Sequence, residues 1–310
     1  MTNLSRRGVL GLAGLAGLAV LSACSSSDPL ATPSASTATS AAMTGATLVV
    51  GSQQYYSNEI IAELYAQVLE KAGFTVKRQY QIGQREVYLP ELESGKVDVM
   101  PEYSGNLLQF YDKKTTAKDP AAIQTALGEK LPSGLRVLTA AAATDQDSYN
   151  VTKAFAEEHS LTSLEDLVKL SGKLKVAANS EFATRPYGPL GLKSVYGVDV
   201  ESVPVEDSGG PLTVKALKDG TVQLADIYTA DPAITKEGFV TLADPKNLIL
   251  PQNVTPLVSA KVDATAAAAI EKVNAQLSMA DLLSLNAKSV EQAAKSADVA
   301  REWLQMKNLL

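Results

Sequence analysis

The stretch GKVDVMPEYSGN, Gly95–Asn106, reads as a β-strand that runs into a sharp loop. Val97, Val99 and Met100 supply the apolar content, Asp98 interrupts it, and Pro101 stops it. Tyr103 then stands where the carboxyl end of a strand opens into a crevice, and Gly105 gives the backbone room to turn. Taken alone, these residues fit a strand and turn with one partly buried tyrosine. Tyrosines recur at similar loop positions, Tyr149 in DQDSYN and Tyr228 in ADIYTAD, and that recurrence favours a ligand crevice.

Outward from this stretch the chain alternates. Thr47–Gly51 (TLVVG) is expected as a strand. A helix capped by Ser57 should run to Ala72, with Ile60, Ile61, Leu64, Tyr65, Val68 and Leu69 on one face and Gly73 ending it. Thr75–Ile82 alternates as a strand, Arg85–Ser94 is a short helix, and Val97–Pro101 is the next strand. Helical segments near Asn106–Tyr111 and Ala121–Lys130 precede a strand at Leu135–Ala140.

After Tyr149 the rhythm restarts. Thr162 to Glu165 has capping-box spacing ahead of a helix. Strands are expected at Lys173–Ala178, Val200–Val205 and Val222–Tyr228, with helices near Leu190–Tyr196 and from Ser208 to Gly220. Two more strands, Leu248–Leu250 and Pro256–Ala260, lead into a helical tail from Asp263 to Leu310. The pattern is α/β, strands with covering helices, in two lobes.

Composition narrows the functions. The 310 residues are 45% hydrophobic with 28 Lys+Arg against 34 Asp+Glu, a formal charge of −6. No basic cluster appears, so nucleic acid is not expected as a partner. One cysteine and one histidine exclude an internal disulfide and argue against a Cys/His metal site; no metal or cofactor is expected. His159 follows two glutamates and reads as a solvated surface residue. No Ser-His-Asp spacing, GxSxG or Gly-rich phosphate loop is present.

The first residues read as a targeting segment, 1–23. Arg6 and Arg7 precede an apolar run, Val9–Leu21, that is shorter than the ~20 residues needed to span a bilayer. Leu21-Ser22-Ala23-Cys24 resembles the lipobox of bacterial lipoproteins, which makes Cys24 the expected lipidation site. Ser5-Arg6-Arg7-Gly8-Val9-Leu10 resembles a twin-arginine export signal. Residues 24–46 then form a flexible tether, since Ser25–Thr44 is rich in Ser, Thr, Ala and Pro. A tethered lipid anchor puts the folded part on the extracytoplasmic face of the membrane.

Five blocks carry a resemblance: GSQQYYSNEIIAELYAQVLEKAGF, IGQREVYLPELESGKVDVMPEYSGN, DQDSYNV, NSEFATRPYGPLGLKSVYG and LADIYTADPAI. From about Thr47 onward the chain resembles the glycine betaine/osmoprotectant-binding proteins of ABC importers. The resemblance implies a two-lobed type II periplasmic-binding fold with two inter-lobe crossings, near Thr144–Asn150 and Asn247–Asn253. Lobe I would comprise 47–146 and 252–310, and lobe II 147–251. It implies a small osmoprotectant as ligand and an ABC permease with its ATPase as partners. It also implies a cage of rings for a quaternary ammonium, by cation–π attraction of roughly 0.5–2 kcal/mol per ring.

By matching position Tyr103, Tyr149 and Tyr228 would be the cage walls; their structural alternative is three core tyrosines with satisfied hydroxyls. Arg185 matches the family's carboxylate clamp, with an ion pair to Glu181 as its alternative. Asn106 could donate in the same role. Gln53 stands where the family usually carries Lys, Asn253 falls near its fourth aromatic, and Tyr187 is an added ring. Those departures leave choline, carnitine, ectoine-like solutes or a larger polar ligand open beside betaine. A rival of another class is an extracytoplasmic hydrolase using Asp145 and Asp147. A third is a binding sensor that signals to a membrane receptor.

Overall fold

A computed structural model describes residues 45–310. The targeting segment, Cys24 and all but the end of the tether lie outside the described residues. In chain order the elements begin with β1 (Thr47–Gly51), α1 (Tyr56–Lys71), β2 (Thr75–Gln79), α2 (Arg85–Glu93), β3 (Val99–Tyr103), α3 (Ser104–Tyr111), α4 (Pro120–Lys130) and β4 (Leu135–Val137). There follow β5 (Tyr149–Val151), α5 (Lys153–His159), β6 (Leu174–Ala178), α6 (Pro189–Tyr196), β7 (Val200–Pro204), α7 (Pro211–Lys218), β8 (Leu224–Asp226), α8 (Ala233–Glu237) and β9 (Val240–Thr241). The chain closes with β10 (Val254–Ser259), α9 (Ala264–Asn274), α10 (Met279–Gln292) and α11 (Ser296–Met306). Short 3₁₀ turns cover Leu164–Lys169 and Ser180–Thr184.

The strands form two five-stranded sheets, ordered β2-β1-β3-β10-β4 and β7-β6-β8-β5-β9. In the first, β1 is parallel to β2 and β3, and β10 lies antiparallel between β3 and β4. In the second, β6 is parallel to β7 and β8, and β5 lies antiparallel between β8 and β9. The fourth strand of each sheet is therefore the one reached from the other sheet. This is the type II periplasmic-binding arrangement.

Two segments join the sheets, one between β4 and β5, the other between β9 and β10. They run side by side as an antiparallel pair. Ala141 N–H donates to Val254 O (2.8 Å), Val254 N–H to Ala143 O (3.0 Å) and Asp145 N–H to Gln252 O (3.2 Å). A bridge pairs Thr144 with Asn253.

Helix α1 owes its position to its apolar face. Ile60, Ile61, Leu64, Tyr65 and Leu69 are buried against Leu48 and Val50 of the first sheet and against the C-terminal helices through Ile270, Val299 and Trp303. The second sheet has its own core, built on Leu164, Val176, Leu192 and Leu224. Burial of a side chain of this size contributes about 1.5–3 kcal/mol.

Some local expectations change. Ser57 is not the cap of α1; it lies in the first turn, and its hydroxyl donates to Asp145 Oδ2 (3.0 Å). Leu248–Leu250 is a buried loop, not a strand. Leu248 and Ile249 fill the second core and Leu250 a further cluster with Met100, Leu107 and Leu257, so a short apolar run here marks a segment spanning two cores. The capping box belongs to Ser163 and Asp166 and opens a 3₁₀ turn. Helix α5, capped by Thr152, and the two-residue β9 add to the expected elements.

Candidate functional site

The loops at the carboxyl ends of β1, β3, β6 and β8 converge between the two sheets. From β1 the chain turns through Gln53 to Tyr55. That turn is held because Gln53 N–H donates to Asn58 Oδ1 (2.8 Å), while Asn58 Nδ2 donates to Pro101 O (3.1 Å). Tyr103 ends β3. The rings of Tyr55 and Tyr103 lie 6.3 Å apart at 30°, and those of Tyr55 and Tyr228 lie 5.1 Å apart at 66°. Tyr228 follows β8, so one aromatic cluster draws rings from both sheets.

Gly105, in the first turn of α3, is needed for close approach and not for a turn. A Cβ there would sit 2.6 Å from Pro251 O and 2.7 Å from Leu250 Cβ on the returning segment. Beneath Tyr103 the neighbouring Glu102 is fully buried. It accepts two hydrogen bonds from the equally buried Arg85, from Nε (3.0 Å) and Nη2 (2.8 Å), and one from the Tyr88 hydroxyl.

The cavity is lined by Gln53, Tyr55, Arg85, Tyr103, Asn106, Asp145, Asp147, Glu181, Arg185, Tyr187, Asp226, Tyr228 and Gln252, among others. It is small, about 30 Å³. That is room for no more than a few waters. Contacts close the cleft from side to side: Tyr56 donates to Asp231 Oδ2 (3.0 Å), and Arg185 grips Glu86 of α2 through Nη1 (2.8 Å) and Nη2 (3.2 Å). Admission of any solute needs the sheets to part.

Residues 46–306 match the family described as the substrate-binding domain of ABC-type glycine betaine transport systems. The chain belongs to this family. It is therefore a substrate-binding component of ABC import, a class that works outside the cytoplasm. Among the described residues no helix is long and apolar enough to cross a membrane. The chain is 29% identical over 273 residues to the glycine betaine-binding protein YehZ of Escherichia coli (strain K12), covering 83% of this chain and 90% of that protein. The solved structure of apo YehZ from the same species superposes with a TM-score of 0.61 at 27% identity, over 85% of this chain and 99% of that one. A glycine betaine/carnitine/choline ABC transporter structure, at 20% identity, shares the fold with a TM-score of 0.67, over 86% of this chain and 99% of that one.

In this substrate-binding domain the residues singled out above fall into two groups. Tyr103, Tyr228, Asn106, Arg185, Gln53, Asp147, Glu181 and Tyr187 all line the cavity. Tyr149 does not. Its ring is buried in the second core edge-on to Phe182 (5.8 Å), and its hydroxyl donates to Tyr187 O (2.7 Å). It supports the Tyr187 loop from behind, which corrects its place as a wall. Asn253 also stands apart: it belongs to the paired crossings, where Nδ2 donates to Ala141 O (2.9 Å), and it is not among the lining residues. Arg185 pairs with Glu86 and not with Glu181, because the loop after β6 faces α2 across the cleft.

Sequence reasoning passed over Tyr55, Arg85, Asp226 and Gln252. Tyr55 was within reach, since it follows β1 as Tyr103 ends β3. Asp226 and Gln252 had no local signal; the topology brings them in. Asp147 accepts from Asn106 Nδ2 (2.6 Å) and Gln252 Nε2 (2.9 Å), and Asp226 accepts from Ser148 N–H (3.1 Å). Asp145 accepts from Ser57 Oγ and from Ala230 N–H (3.1 Å).

The electrostatics follow from burial. Desolvation pushes the Asp145 carboxyl up to about 7, against the hydrogen bonds from Ala230 and Ser57. It raises Glu181 as well. Asp226 is held well above the usual carboxylate range by burial first, then by the charge of Asp147 and a hydrogen bond between the two. Burial keeps the phenols of Tyr55, Tyr103 and Tyr228 neutral.

Proposed function

We propose that this chain is the lipid-anchored, extracytoplasmic binding component of an importer for osmoprotectants of the glycine betaine and choline type, and that it performs no catalysis. Cys24 is the anchor in this reading, and a permease with its ATPase is the partner. Lobe I comprises 47–146 with 252–310, lobe II comprises 147–251, and the paired crossings between them are the hinge. The observation that carries the ligand class is the cluster of Tyr55, Tyr103 and Tyr228. These rings come from two sheets and meet in one closed cavity. A trimethylammonium has no N–H to donate, so it is held by ring faces and dispersion. A site divided between lobes ties capture to closure, since neither lobe alone surrounds the ligand.

The family membership and the names of YehZ and of the glycine betaine/carnitine/choline structure support the same class. The test is calorimetric titration with glycine betaine and with choline, alongside thermal shift. A ligand at ~100 times its dissociation constant adds about 2.7 kcal/mol of stability. Failure of every trimethylammonium compound to bind the folded protein would overturn the reading in favour of a non-quaternary polar solute.

A further inference from the structure

The cavity holds more acid than a zwitterion needs. Four carboxyls line it, those of Asp145, Asp147, Glu181 and Asp226, and none forms an ion pair among the described residues. The two guanidiniums that reach it are already engaged, Arg85 by Glu102 and Arg185 by Glu86. Among the described residues no free cation lines the cavity for a ligand carboxylate. Two further polar atoms in the cavity wall are buried without a partner, Asn106 Oδ1 and Gln53 Nε2, on side chains 8% and 5% exposed. An unpartnered buried acceptor and donor are costly unless a ligand completes them. Asn106 is the pivotal one. Its Nδ2 is committed to Asp147, so its Oδ1 and the Asp147 carboxylate present acceptors side by side.

Asp147 lies on the first crossing and Asp226 at the end of β8, and the two carboxyls are within hydrogen-bond reach. Two desolvated carboxyls this close disfavour double ionisation, and burial followed by the charge of Asp147 raises the Asp226 carboxyl well above its ordinary range, so Asp226 is the one that keeps its proton.

Resting on the quaternary-ammonium reading above, we propose that Asp147 and Asp226 form a proton-linked selectivity pair. It favours a net cation that carries a hydrogen-bond donor beside its ammonium head, an amino-alcohol cation, over a zwitterion ending in a carboxylate. The rings hold the methylated head, and the donor reaches the Asp147–Asn106 acceptors. The ligand's positive charge takes the place of the Asp226 proton, which leaves to solvent. A carboxylate in the same place would face Asp147 and Asp226 with no cation to receive it.

Other groups face the pair. Asp145 and Glu181 add negative charge, Tyr149, Tyr187 and Tyr228 present neutral phenols, and Arg85 and Arg185 lie beyond Tyr187. Asp145 is another buried carboxyl raised by desolvation, so the test separates it from the pair by substitution.

The experiment is calorimetry of the wild-type protein with choline and with glycine betaine, in buffers of different protonation enthalpy and across a pH series. Choline is expected to bind at least about tenfold tighter than betaine. It should release about one proton, with affinity rising up to about tenfold per pH unit while the pair holds its proton. In Asp226→Asn, which keeps the acceptor for Ser148, proton release should vanish and the choline preference fall about tenfold. Asp147→Asn provides the second variant, with folding of each checked by its melting curve. Equal affinities without proton release would overturn the proposal and leave the quaternary-ammonium reading intact, and so would proton release that persists in both variants. If neither compound binds, both fall.

Discussion

In the first sheet β3 ends in Glu102 and Tyr103. In the second, β8 occupies the same place in the strand order, ends in Asp226, and is followed two residues on by Tyr228. Each sheet thus sets one acid beside one ring at the end of its third strand, Glu102 buried beneath Tyr103 and Asp226 lining the cavity with Tyr228. The acids fare differently. Glu102 is gripped by Arg85 and by the Tyr88 hydroxyl. Asp226 receives a backbone N–H and the neighbouring carboxyl of Asp147. A second pair of equivalent loops repeats the contrast: after β1 come Gln53 and Tyr55, after β6 come Glu181 and Phe182. One topology, used twice, ends β3 in an acid paired with an arginine and ends β8 in an acid that has no cation paired to it among the described residues.

The sharpest way to break that contrast is to unbalance the first lobe. Arg85→Ala strands Glu102, whose side chain has no exposure, and breaking a buried pair from one side costs about 3–5 kcal/mol. Denaturant unfolding measures it. A loss under ~1 kcal/mol would mean that the pair is not what braces β3.

A smaller effect is expected on affinity from the rings. Tyr55→Ala or Tyr103→Ala should weaken choline binding roughly 2- to 30-fold, the worth of about 0.5–2 kcal/mol. Tyr149→Phe, which removes only the hydroxyl bonded to Tyr187 O, should cost about 0.5–1.5 kcal/mol of stability and little affinity. Equal affinity losses at Tyr149 and Tyr103 would erase the distinction between a wall and its support.

The smallest effect lies at the rim. Arg185→Gln releases Glu86, which is half exposed, so about 0–1 kcal/mol of closure is at stake. Small-angle scattering should show a modest shift toward a more open shape. No change in shape, together with an unchanged affinity, would remove the pair from any role in closure.

What was legible in advance followed from local pattern. The apolar face of α1, the strand before Tyr103 and the strand–helix rhythm on both sides of Tyr149 are written in spacings of a few residues. Tyr103 and Tyr228 could be placed because a ring at the end of a strand needs only that strand to locate it. Tyr149 looked equivalent and is not, since its strand lies antiparallel in the fourth position of its sheet and turns the ring into the second core. The partners of Arg185 and Asp147 lie far off in sequence, Glu86 on α2 and Gln252 on the returning segment. Such pairings come from the path between sheets, and no window of sequence contains them. The run Leu248–Leu250 misled for a related reason: it is apolar because it faces two interiors at once.

The place of β10 in the middle of the first sheet bears on how the chain is made. Among the described residues strand β4 finds its sheet partner only in β10, through Leu257, Val258 and Ser259. As the polypeptide emerges, Leu135–Val137 is followed by the whole of the second sheet before that partner exists. The second sheet's strands, in contrast, lie within one unbroken stretch, 149–241. The later half of the molecule can thus assemble first, while the earlier half stays an open three-stranded edge until the chain returns. Contacts that span such separations are slow to form. A pulse-labelling experiment should therefore find amides of β6 and β8 protected before those of β4.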